Sequence, residues 1–136
     1  MGQTYSNQQR QEYLNMSDRI GMRWVGLFRG DTEFYSAAYW DLFKGLWRAG
    51  APVRKTEALA FMTAVKSAHT AGKYLDTALE RGLLVETPNP KDARSKLIGL
   101  SDEMRARLDV FFDAAVGEIQ RTSRAIEEKG PAPATA

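Results

Sequence analysis

A single histidine, His69, and no cysteine in 136 residues leave little material for catalysis. One imidazole cannot form a metal site by itself, and without thiolates there is no zinc–sulfur site, disulfide framework or thiol switch. No Ser-His-acid set, phosphate-cradling glycine loop or metal-ligand cluster occurs either, so an enzyme and a bound cofactor are not expected. The chemistry on offer is recognition, and it is concentrated between Ser67 and Ser101. Ser67, His69, Thr70, Lys73 and Thr77 fall on the outward side of a predicted helix whose inward positions are Ala71, Leu75, Ala78 and Leu79. Short hydrogen-bonding side chains on the N-terminal half of such a helix suit base edges in the major groove of double-stranded DNA. Lys91, Arg94 and Lys96 follow at the tip and on the return strand of a predicted hairpin, where cations reach phosphates or the minor groove.

Each of these residues also has a plainer reading. His69 is by default a surface histidine. Gly72 either allows close approach to DNA or packs against a neighbouring helix. Asp92 and Arg94 could form an exposed ion pair, an interaction worth little by itself.

Those residues need a scaffold, and the chain is long enough for one domain with a single core. Hydrophobic residues at 43% and charged residues at 26% are ordinary for a soluble globular protein and exclude a disordered or fibrous one. The net charge is only +2, so its distribution matters more than its sum. Met1 to Gly30 carries four basic and two acidic residues, Lys66 to Ser101 six and four, and the chain beyond Ser101 five and seven. A nucleic-acid binder with this balance must concentrate its cations geometrically. Apolar runs such as Ala58 to Met62 are too short to span a bilayer, so no membrane is expected and the cytoplasm is the simplest address. Met1 to Ser6 matches the short N-myristoylation pattern, but no polybasic second signal follows it and lipidation is not expected.

The order of elements follows from periodicity and punctuation. Residues 1–7 are polar and should fray. Tyr13, Met16, Ile20, Trp24 and Leu27 recur every three or four residues and predict an amphipathic helix over about Gln8 to Phe28. Gly30 and Asp31 mark its stop and the next cap. A second helix, Thr32 to Arg48, carries a broad apolar stripe through Phe34, Ala38, Leu42 and Leu46 and is central to the core. Pro52-Val53-Arg54 reads as a brief extended segment, followed by a third helix over Lys55 to Val65 with Leu59 and Met62 inward. The fourth helix, Ala68 to Arg81, has Ser67 as N-cap and Gly82 as its C-terminal stop. Leu83–Glu86 and Lys96–Leu100 predict two strands around a Pro88-Asn89-Pro90-Lys91-Asp92 tip. The last helix starts at Ser101-Asp102-Glu103 and runs to about Glu127, with Met104, Leu108, Phe111, Phe112, Ala115, Ile119 and Ile126 on one stripe. Residues 128–136 have nothing to bury and should form an unstructured tail.

This chain resembles the MarR family of bacterial transcription regulators. The resemblance lies in Tyr74-Leu75-Asp76 with Glu80-Arg81-Gly82-Leu83-Leu84-Val85, in Pro88-x-Pro90-x-Asp92-Ala93-Arg94-Ser95-Lys96, and in Leu100-Ser101. It covers roughly Asp31 to Ala125. Met104-Arg105 stand where the family usually has a glycine, and Glu86-Thr87 where basic residues are common. The resemblance implies a mainly α, winged helix-turn-helix fold with a two-stranded or three-stranded β-wing. It implies a single domain in which residues 31–101 form the DNA-binding lobe, and residues 1–30 and 102–127 the dimerisation helices. It also implies that Arg94 is held by Asp92 while it contacts DNA, and that a small aromatic effector binds near Trp24, Phe28, Tyr39, Phe43 and Trp47. Those aromatics are otherwise most simply core and interface.

The expected function is therefore a sequence-specific regulator, a repressor acting as a homodimer on a palindromic operator. Two reading helices across a twofold would lie about 34 Å apart, one DNA turn. The alternative is a winged-helix module whose hairpin and fourth helix contact protein, a reading that Glu86 and the modest net charge favour.

Overall fold

Capping chemistry decides where most of the helices start. In the computed structural model, which describes residues 4–130, α1 (Asn7–Leu27) opens on a reciprocal box. The Gln9 N–H donates to Ser6 Oγ (3.1 Å) while Gln9 Oε1 accepts from the Ser6 N–H (2.9 Å). Ser6 and Asn7 are therefore ordered by orphan helix donors finding partners, contrary to the frayed start expected for them. Residues 1–3 and 131–136 lie outside the described residues, and with them the myristoylation pattern's Met1-Gly2 and most of the expected tail.

The second predicted helix is two elements. Asp31 accepts from the Glu33 N–H (3.2 Å) to start a 3-10 turn over Thr32–Tyr35, Ser36 is extended at ψ 159°, and α2 runs Ala37–Ala49. The break has a packing reason: it carries the buried Phe34 ring over Tyr39 at 4.7 Å, edge to face. β1 (Val53–Arg54) leads into α3 (Lys55–Phe61), which ends short of the predicted Val65. Met62 leaves helical geometry and is itself 1% exposed, and the Thr63 and Val65 N–H groups close turns onto the Phe61 and Met62 carbonyls. α4 spans Ala68–Glu80, and α5 spans Asp102–Glu128, with Ser101 Oγ accepting from the Met104 N–H (3.1 Å).

The strands are longer than predicted, β2 over Leu84–Asn89 and β3 over Asp92–Leu100, so the hairpin tip is short. They form an antiparallel sheet in the order β1-β3-β2, with Val53 opposite Ile98, Leu84 opposite Leu100 and a bulge between Pro88 and Asn89. The brief extended segment at Pro52-Val53-Arg54 is thus the third strand of the wing, and the fold class is mainly helical with a three-stranded winged helix-turn-helix.

The chain divides into two compact units. Asp31–Leu108 has a core of Phe34, Tyr39, Leu42, Phe43, Leu46, Met62, Leu75, Leu84, Ile98, Met104 and Leu108, all nearly without exposure. The other unit takes the described residues up to Gly30 and those from Asp109 onward. In it the buried Glu118 carboxylate receives Arg19 Nε at 2.8 Å, Arg121 at 3.3 Å and Arg23 at 3.8 Å. The Arg19 hydrogen bond leads in holding that carboxyl below the usual carboxylate range. Two residues of the predicted apolar stripes, Tyr13 and Ile119, are more than half exposed on this unit, as is Val116.

Candidate nucleic-acid interface

α4 presents one face because its other face is clamped. Ala71, Leu75 and Ala78 are buried, and the fully buried Tyr39 donates its hydroxyl to the Tyr74 carbonyl at 2.8 Å. Burial pushes the Tyr39 phenol up to about 12, so the neutral donor form is kept. At the C-terminal end the Gly82 N–H donates to the Leu79 carbonyl and the Leu83 N–H to the Ala78 carbonyl, a Schellman closure with Gly82 at φ 76°. Just before it, the Arg81 guanidinium pairs with Asp31 and lies 5.9 Å from the Phe34 ring.

Against that fixed backbone the predicted outward residues separate into two kinds. His69, Thr70 and Lys73 are exposed. Ser67 and Thr77 commit their hydroxyls to the helix: Ser67 Oγ accepts from the Thr70 N–H (3.3 Å), and Thr77 Oγ1 donates to the Lys73 carbonyl (3.0 Å). Ser67 is exposed and Thr77 half-buried. Outward spacing is visible in a sequence, whereas the partner a hydroxyl takes depends on local geometry.

The wing tip is stiffened by side chains. Asn89 is 8% exposed; its Nδ2 donates to Ser95 Oγ (3.0 Å) and its Oδ1 accepts from the Lys91 N–H (3.0 Å). Asp92 Oδ1 accepts from the Arg94 backbone N–H (3.0 Å), so the carboxylate positions Arg94 through its main chain. This differs in kind from the ion pair considered for these two residues and leaves the guanidinium to another partner. Lys91, Arg94 and Lys96 are all exposed, with Lys96 opposite Pro88 in the ladder and Glu86 exposed opposite Ile98.

The five aromatics tied to an effector are distributed over both units. Trp24, half-buried, packs edge-on to Phe28 (4.9 Å) and Phe111 (5.5 Å). Tyr39 and Phe43 stack at 5.8 Å in the other core with no exposure, and Trp47 is 36% exposed. One basic residue near the wing escaped the sequence reading: β1 pairing places Arg54 directly opposite Leu97. The only sequence signal for it was its place in an extended segment. Among the described residues no three His, Asp or Glu gather as metal ligands, and no helix is long and apolar enough to cross a membrane.

Neither a protein-family model nor a curated protein matches this sequence. Solved structures do. The transcriptional regulator Tm0710 from Thermotoga maritima superposes with a TM-score of 0.60 at 16% identity, over 88% of this chain and 82% of that one. A MepR mutant from a multidrug resistant S. aureus clinical isolate gives 0.61 at 15% identity, over 94% and 87%. A MarR mutant from E. coli in complex with operator DNA gives 0.51 at 18%, over 86% and 81%. At these identities the likeness establishes a shared fold, that of MarR-type winged helix regulators.

Proposed function

We propose that this protein is a transcription regulator that binds double-stranded DNA as a homodimer. The observation that carries this reading is a single one: α4 is locked by Tyr39 and its closed C-terminus, so His69, Thr70 and Lys73 form a fixed, exposed polar face beside a stiffened wing bearing Lys91, Arg94 and Lys96. The fold shared with a MarR structure bound to operator DNA supports it. In this reading α4 lies in the major groove, the wing cations meet phosphates or the minor groove, and Ser67 and Thr77 shape the helix that presents them.

A palindromic operator follows from twofold symmetry of the homodimer, with half-sites about one turn apart. Repression by occupying a promoter is the simplest action. Relief by a small aromatic ligand is its regulatory half, for which the partly exposed Trp24 ring, packed on Phe28 and Phe111, is the supporting feature.

The test uses DNA from the intergenic region upstream of the protein's own gene. Lys73→Ala should weaken binding, and Arg94→Ala should weaken it with a shallower salt dependence, both with an unchanged melting temperature. If neither variant changes DNA affinity, this face does not read DNA. The competing reading, a winged-helix module that docks on protein, draws support from exposed Glu86 and the small net charge. The wild-type salt dependence separates the two: affinity for DNA falls by about 0.9 of a log unit per log unit of salt for each phosphate contact.

A further inference from the structure

β1 does more than widen the sheet. In its register Arg54 stands opposite Leu97, and cross-strand partners share a face. Lys96, one residue along β3, points to the other face. The cations of the wing are thus divided, and Arg54 falls beside the tip residue Lys91. Between them lies a surface trough of about 340 Å³, lined by Pro52, Arg54, Glu57, Asn89, Lys91 and Leu97 among others.

The lining describes its occupant. Two cations against one acid give a net positive rim. Pro52, Val53, Pro90 and Leu97 supply apolar lining but none is aromatic, and the charged groups at the trough, two cations to one acid, match a compact anion. The backbone is fixed at both cations: the Lys91 N–H donates to the buried Asn89 side chain, and Arg54 lies in the β1–β3 ladder at the start of α3. The trough is flanked by exposed residues and is not a closed cavity, which suits an anion carried on a passing chain.

We infer that the Arg54–Lys91 trough binds one backbone phosphate of a DNA duplex, making Arg54 a contact residue on the far face of the wing from Lys96. This rests on the duplex reading above and names a further part of that interface. Because a phosphate contact is independent of base sequence, a labelled duplex of arbitrary sequence is a sufficient probe.

The experiment measures affinity for that duplex across a salt series for the intact wild-type chain and for Arg54→Gln, Lys91→Gln, the double variant and Glu57→Gln, with melting temperatures recorded for each. Arg54→Gln is expected to weaken binding by up to about fivefold at about 0.15 M salt and to reduce the log–log salt slope by up to about 0.9, the full loss of one phosphate contact. The double variant should lose less than the product of the two single losses, because both cations serve one phosphate. Glu57→Gln should tighten binding. An unchanged affinity in a folded Arg54→Gln, or single effects that multiply in the double variant, would overturn the shared site while leaving the duplex reading intact. A wild-type protein that does not bind the duplex would overturn both. A second arm compares melting in inorganic phosphate and in chloride at equal ionic strength: no difference is expected, and a phosphate-specific rise lost in Arg54→Gln would make this a free-anion site instead.

Discussion

Tyr39 shows how much one side chain can decide. Its ring fills the core against Phe34, Phe43 and Tyr74, and its hydroxyl fixes the Tyr74 carbonyl of α4. Tyr39→Phe keeps the ring and removes the donor, and should lower stability by about 1 kcal/mol, measurable by urea unfolding at neutral pH. The phenol also makes stability depend on alkali. Its proton is held more tightly in the folded chain, at about 12 against 10.0 for a free tyrosine, because burial disfavours the phenolate. Stability is therefore intact below about pH 10 and falls as pH rises from there towards 12, since the unfolded chain releases this proton first. Tyr39→Phe should lose that part of the alkaline decline, which unfolding curves at about pH 9 and about pH 11 would show. The inward position of Tyr39 could be read from helical spacing, but its hydrogen bond could not, because Tyr74 lies on a different helix.

Between elements, α2 packs closely against α3 at Gly45. A methyl added at Gly45 would lie 2.4 Å from Phe61 Cγ, so the ring rests directly on the α2 backbone. Gly45→Ala is expected to destabilise the fold by about 1–3 kcal/mol, as overpacking does, and a lowered urea midpoint with an unchanged m-value would check it. Packing of this kind also accounts for two boundaries that periodicity placed wrongly. The apolar repeat runs unbroken through Ser36, yet the chain is extended there so that Phe34 can cover Tyr39. The helical pattern continues past Phe61, yet α3 stops so that Met62 is buried. In both places tertiary packing outweighs local helix preference, which is worth only tenths of a kcal/mol per residue.

At the scale of the whole molecule, the unit holding α1 and most of α5 leaves apolar surface uncovered. Met22, Val110, Val116, Ile119 and Tyr13 are each more than half exposed. A groove of about 780 Å³ runs between the two helices, with Tyr13, Met16, Ile119 and Ile126 lining it beside the polar Gln9, Arg10, Thr122 and Glu127. In the proposed homodimer a second copy covers this exposed apolar surface. Sedimentation should therefore give twice the 15.2 kDa chain mass, and Ile119→Asp should shift the population to monomer and weaken duplex binding. A wild-type monomer at micromolar concentration would remove the twofold operator from the functional proposal.

Caps, stops and stripes were legible in the sequence because they act over a few residues: Ser67, Gly82 and Ser101 bound their elements as their chemistry demands, and the spacing of Ala71, Leu75 and Ala78 determined by itself which side of α4 is buried. The third strand's partner, the turn of chain at Ser36 and the use of Asp92 on a backbone N–H were decided only by the tertiary structure. So was the placing of Arg54 beside Lys91. Local signals set which segments become helix or strand, because a cap or a periodic face gains its free energy within one element. Which side chains meet depends on pairing and burial between segments distant in the chain, and no window along the sequence contains both partners.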